Sequence, residues 1–196
     1  MKTLVLFDFD GTLTKKDTFI EFIRFYKGSF SLYVGFLLLS PILVCFKLGI
    51  YPNWKAKERV MKYFFGGIHV DTFNARCEAF INQKIENLLW KGAKEEVQKH
   101  LDNGATVYLV SASPENWISY FANAVGIPFI GTKLEVIGDK ITGAIEGKNC
   151  YGPEKVIRLK EVLQLEQFDR IIAYGDSSGD KEMFELADQE IYKPFR

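Results

Sequence analysis

Three short clusters of oxygen-bearing side chains, each placed directly behind a run of strand-forming residues, carry whatever chemistry this chain performs. The first is Asp8-Phe9-Asp10-Gly11-Thr12, which follows the apolar run Thr3 to Phe7. Two carboxylates at i and i+2 beside a Gly-Thr turn concentrate negative charge where backbone groups are exposed. Such a site suits a hard divalent cation with oxygen ligands, and Mg2+ commonly takes one or two carboxylates together with a substrate phosphate. An isolated Asp-x-Asp-Gly is more often a turn that merely ends a strand, so the other clusters decide the matter. The second, Ser111-Ala112-Ser113-Pro114, follows Thr106 to Val110. Ser111 ends a strand and opens a helix, where its hydroxyl and the nearby N–H groups either receive a phosphate oxygen or cap the helix. The third, Gly175-Asp176-Ser177-Ser178-Gly179-Asp180, follows Arg170 to Tyr174, and its acidic pair can supply the further ligands that a cation at Asp8 needs. Lys155 stands near the start of a helix expected over 152–165. A cation there opposes the helix dipole; an anionic partner accounts for it, a solvated surface lysine being the ordinary alternative.

The elements that must hold these groups are legible in the pattern around them. Continuous apolar runs indicate strands covered on both faces, as in a parallel sheet. Helical stretches at 92–101, 115–125, 152–165 and 181–187 alternate with them. That rhythm predicts an α/β fold with a doubly wound parallel sheet, which binds ligands at the carboxyl ends of its strands. All three clusters lie at such ends. Residues 132–147 flank a Gly138-Asp139 turn and read as a β-hairpin decorating the core. The stretch from Asp17 to Asn87 is helical, rich in Phe and Leu, and separates the first strand from the second. It is expected to be an inserted helical cap over 17–87, with 1–16 and 88–196 forming the catalytic α/β core.

Composition narrows the partners. Lys plus Arg and Asp plus Glu are equal at 25 each, so nothing points to nucleic acid, whose binders carry a basic face. Cys45, Cys77 and Cys150 have no metal-ligand spacing, and a reducing cytoplasm fits them. Residues 28–46 contain no charge, and 13 of these 19 are apolar, close to the ~20 needed to span a bilayer. A full crossing would put the first cluster and the rest of the core on opposite sides of the membrane. The remaining readings are an apolar face resting on the inner surface of a membrane and two short buried helices broken at Pro41.

The ordered set Asp8-Phe9-Asp10-Gly11-Thr12, Ser111, Lys155 and Gly175-Asp176 with Asp180 resembles the four motifs of the haloacid dehalogenase superfamily, across essentially the whole chain. The helical insertion is similar to the cap of its phosphoserine phosphatase-like branch (subfamily IB). Ser111-Ala112-Ser113 and residues 147–152 look like a bacterial group that includes phosphatidylglycerophosphate phosphatases. The resemblance implies a Rossmann-like core and a Mg2+-dependent phosphomonoester hydrolase. Asp8 would be the nucleophile and Asp10 the general acid and base; Asp8, Asp176 and the Asp10 carbonyl would hold the metal. Ser111, Lys155 and the Gly11 loop would bind the phosphoryl group, with Asp180 and Thr12 supporting from behind. Asp17 and Arg59 match positions at which phosphoserine enzymes hold the substrate's amine and carboxylate. Against phosphoserine stand Ala112-Ser113 in place of Gly-Gly and Gly179 in place of an Asn. The substrate is therefore expected to be a lipid phosphate such as phosphatidylglycerophosphate, the alternatives being phosphoserine or another small metabolite and a non-catalytic phosphate- or metal-binding module.

Overall fold

The computed structural model describes residues 1–196. Strand β1 (Thr3–Phe7) is the centre of a five-stranded parallel sheet with β2 (Thr106–Pro114), β3 (Phe129–Thr132), β6 (Arg170–Gly175) and β7 (Gln189–Tyr192), in the order β3-β2-β1-β6-β7. Alternation along β1 explains why helices cover both faces. Leu4 and Leu6 pack with Leu159 and Met183 on one side, while Val5 and Phe7 join Val97, Trp117 and the aromatic cluster of the cap on the other. The first face is covered by α6 (Pro153–Val162) and α7 (Lys181–Leu186), the second by α4 (Ala93–Asp102) and α5 (Glu115–Val125). Strands β3 and β7 were not anticipated. The first is four residues long and the second is a mostly exposed edge without an apolar run.

Between β1 and β2 come α1 (Thr18–Lys47), α2 (Asn53–Phe65) and α3 (Val70–Leu88). The chain leaves the core and returns to it side by side, with Lys15 N–H donating to Leu88 O at 2.7 Å and Trp90 N–H to Leu13 O at 2.9 Å. Helix α1 corrects the expected break at Pro41. Its one non-helical residue is Gly28, at φ 83° and ψ 161°, a backbone conformation open to glycine. Pro41 has no N–H to donate to Leu37 O, and the Ser40 hydroxyl takes that place at 2.7 Å. Nor is the second half of α1 buried: Phe30, Tyr33, Leu37 and Leu38 are between 62% and 82% exposed.

The hairpin of β4 (Leu134–Ile137) and β5 (Lys140–Ile145) packs against α2 rather than decorating the core. Ile145 N–H donates to Glu58 Oε1 at 2.9 Å, and Gly67 N–H to Ile141 O at 2.7 Å. A Cβ at Gly143 would lie 2.3 Å from Lys62 Cα, so the residue's bareness permits the approach.

Candidate active site

Because β1 bonds to β2 on one side and β6 on the other, its carboxyl end opens into the crevice where the strand order turns. Asp8 is the first residue beyond that end, 6% exposed, with its N–H donating to Tyr174 O at 3.0 Å. Lys155 Nζ donates to Asp8 Oδ1 at 2.7 Å and to Asp180 Oδ1 at 2.6 Å, and Thr12 Oγ1 donates to Asp8 Oδ2 at 3.0 Å. Lys155 is thus no solvated surface lysine but one sealed between two carboxylates. Burial by itself would lower its ammonium, and the facing carboxylates of Asp8 and Asp180 reverse that and hold it above its ordinary value. Asp8 is raised, chiefly by burial, against the pull of the Lys155 ammonium.

Asp8, Asp176 and Asp180 each bring a carboxylate oxygen within 4.8 Å of the others. Asp180 is the most heavily bonded of the three. Its Oδ2 accepts from Asp176 N–H at 3.1 Å, Ser177 N–H at 3.0 Å and the Ser177 hydroxyl at 3.2 Å, while Oδ1 holds Lys155. Asp8 carries one bond on each oxygen and Asp176 one on Oδ2 alone, so these two side chains have the most acceptor capacity left to give. Gly11 lies directly against Asp176 at φ +81°, where a Cβ would stand 2.4 Å from Asp176 Oδ2. Two hard oxygen donors in a cradle that a side chain would fill fit a cation of the Mg2+ type.

Ser111 is 1% exposed, and its Oγ accepts from Ser113 N–H at 3.0 Å. That bond occupies an acceptor site and leaves the Ser111 O–H free to donate to an anionic oxygen. Asp10 faces the cavity with both carboxylate oxygens engaged from behind, by Thr18 N–H at 2.6 Å and the Ser113 hydroxyl at 2.5 Å. Asp17 caps α1 by accepting from Ile20 N–H at 3.2 Å, and it borders the same cavity.

Arg59 is exposed and lies outside the cavity lining. Two residues earlier, Lys57 lines it instead, donating to Ala112 O and, at 3.1 Å, to Asn149 Oδ1. Burial pushes the Lys57 ammonium down to about 8, partly offset by Asp10 and Asp17. Two more residues join the site. Asn149 is held by Lys57 and Thr132, and Arg196 donates to Asp176 Oδ2 at 2.9 Å and Gly11 O at 3.0 Å. Asn149 belongs to the 147–152 stretch already singled out, whereas Arg196 carries no local signal.

The cavity measures about 930 Å³. It runs from Asp8, Ser111 and Lys155 to an apolar wall built by Phe19 and Ile20 from the start of α1 and Phe36, Leu43 and Phe46 from its end. A straight helix of this length would extend ~45 Å, so both ends can border one cavity only because the backbone turns at Gly28.

Residues 5–185 match the family of haloacid dehalogenase-like hydrolases. The protein CicA of Caulobacter vibrioides is 37% identical over 198 residues, covering 98% of this chain and 86% of CicA. A protein of unknown function from Bordetella pertussis Tohama I superposes with a TM-score of 0.85 at 24% identity, covering 98% of this chain and 90% of that one. A phosphoserine phosphatase solved as a phospho-aspartyl intermediate analogue gives a TM-score of 0.70 at 20% identity, covering 97% and 86%.

Proposed function

The chain belongs to the haloacid dehalogenase-like hydrolase family, and from that premise we propose that it is a phosphoric monoester hydrolase that works through an aspartyl-phosphate on Asp8 and acts on a lipid phosphate. Residues 17–87 serve as its cap, with the β4-β5 hairpin added to it. Asp8, Asp176 and the Asp10 carbonyl would hold Mg2+, which when bound would supply charge neutralisation for the phosphoryl group. Ser111 donates its free O–H to a phosphoryl oxygen, and Lys155 adds positive charge beside the nucleophile, so the site works by positioning and electrostatics. An oxygen of Asp8 attacks phosphorus. The ester P–O bond breaks, and its electron pair leaves on the alcohol oxygen, which takes a proton from Asp10. Asp10 then accepts a proton from the water that attacks the phospho-aspartate, releasing inorganic phosphate and restoring Asp8.

The observation that carries the lipid reading is the continuity of the cavity: the floor that holds the reacting groups is the floor of a chamber walled by Phe19, Ile20, Phe36, Leu43 and Phe46. An acyl chain finds apolar surface there, and burying it gains about 25 cal/mol per Å². Lys57 at the cap-core junction adds a cation for an anionic headgroup. The outer face of the same helix exposes Phe30, Tyr33, Leu37 and Leu38 and gives the protein a surface with which to rest on the cytoplasmic face of a membrane.

A phosphoserine phosphatase is the second reading, favoured by Asp17 at the cavity edge; Arg59, the other residue matched to that substrate, lies outside the cavity lining. Steady-state assays of phosphatidylglycerophosphate in mixed micelles and of phosphoserine, each with and without Mg2+, separate the two. The lipid ester is expected to turn over at least tenfold more efficiently; a strict preference for phosphoserine discards the lipid reading.

A further inference from the structure

Behind Asp10 a line of hydrogen bonds runs in one direction. Trp117 Nε1–H donates to Thr18 Oγ1 at 3.1 Å, Thr18 Oγ1 stands 3.3 Å from Ser113 Oγ, and Ser113 Oγ stands 2.5 Å from Asp10 Oδ2. An indole N–H only donates and an ionised carboxylate only accepts. Ser113 has one proton, and the short contact to the carboxylate claims it. Thr18 therefore donates to Ser113, and Trp117 fills an acceptor site on Thr18. All three residues are buried, with Trp117 and Thr18 at 0% and Ser113 at 3%. The other carboxylate oxygen accepts from the Thr18 backbone N–H at 2.6 Å, which also can only donate. Both oxygens of Asp10 are thus held from the protein side by donors, and the lone pairs left over face the cavity.

We propose that Ser113, backed by Thr18 and Trp117, is a positioning residue that holds the Asp10 carboxyl group so that its proton-bearing oxygen faces the leaving oxygen of the substrate. This rests on Asp10 being the general acid of the reaction above. Ser113 serves the site twice, through separate atoms. Its N–H orients Ser111 for the phosphoryl group and its O–H orients Asp10. Ser113→Ala removes the second function and leaves the first. Because Thr18 opens α1 and Trp117 belongs to α5, the line also fixes the cap's entry relative to the acid: a displaced first turn of α1 disturbs both donors to Asp10 at once.

The test uses leaving groups. A simple alkyl phosphate must have its departing alkoxide protonated, whereas p-nitrophenolate leaves without a proton. The quantity to compare is kcat/KM, which covers steps up to phosphorylation of Asp8 and excludes the later hydrolysis shared by both esters. With Mg2+ present, Ser113→Ala is expected to lower kcat/KM for hexyl phosphate about 10- to 100-fold, within the range of general acid catalysis, and to change that for p-nitrophenyl phosphate less than about threefold. Thr18→Val, which keeps shape and backbone N–H but loses the hydroxyl, is expected to show the same selectivity more weakly, and Thr18→Ser to restore wild-type behaviour. Circular dichroism confirms that each variant is folded, and Thr18→Val decides the matter if Ser113→Ala is not. Equal losses on both esters, or no loss on either, overturn the proposal. Asp10→Asn run alongside identifies which claim failed: if it too lacks leaving-group selectivity, the general-acid reading of Asp10 is wrong, and Ser113 falls with it.

Discussion

Replacing Lys155 by Met should uncouple the electrostatics of the site from its packing. The methionine side chain is of similar length and apolar, so little cavity forms, and what disappears is one ammonium donating at 2.7 Å to Asp8 and 2.6 Å to Asp180. Those carboxylates are only 6% and 1% exposed, too enclosed for water to replace the lost donor fully. Breaking a buried pair by removing one partner costs ~3–5 kcal/mol, and here two like charges are left facing one another. For a chain of 196 residues, each kcal/mol lowers the melting temperature by about 2–4 °C, so a fall of roughly 6–20 °C is expected. The assay is urea and thermal unfolding followed by circular dichroism in a chelator, so that no divalent cation fills the gap. Adding Asp180→Asn removes one of the stranded charges while its amide oxygen still accepts from Ser177 and Asp176. The double variant should recover ~1–3 kcal/mol as the coupling between the two positions, with turnover absent in both. A Lys155→Met protein within about 1 kcal/mol of wild type, or a double variant no more stable than the single one, refutes the reasoning.

Three further outcomes are expected. Asp8→Asn should abolish turnover of any phosphomonoester while leaving the circular dichroism spectrum unchanged; wild-type rates with Mg2+ would remove the nucleophile assignment. Gly11→Ala places a methyl 2.4 Å from Asp176 Oδ2 at a φ of +81°, so activity should drop by at least about 100-fold and the fold lose ~1–2 kcal/mol, read by steady-state kinetics across a Mg2+ titration and by urea unfolding. Lys57→Met concerns pH. The folded-state Lys57 is lowered from 10.5 to about 8, so the unfolded chain binds the extra proton between these values. Wild-type stability should accordingly rise relative to Lys57→Met as pH goes from 8 to 10.5, the penalty being fully present below 8. Partial exposure of the side chain reduces the gain to on the order of 1 kcal/mol, and a pH-independent gap in urea midpoints would contradict it.

What the sequence determined by itself was whatever depends on neighbours along the chain. A strand buried on both faces announces itself as an unbroken apolar run, and the polar residues that end it must sit at the sheet's carboxyl edge; Asp8, Ser111 and Asp176 follow from that. Folding decided the rest. Lys57 and Arg59 are two apart on a helix and so point about 200° away from each other. No property of either residue says which one meets the cavity until α2 is docked against the core and the β4-β5 hairpin. Pro41 looked like the break in α1, yet the Ser40 hydroxyl satisfies the carbonyl it leaves bare, and the turn falls at Gly28. Ser113, Thr18 and Trp117 gain their meaning from Asp10, which lies 103 residues from the first of them. Contacts between sequence-distant residues are fixed by the packing of whole elements, because the free energy that selects them is shared among many buried side chains and written in none of them singly.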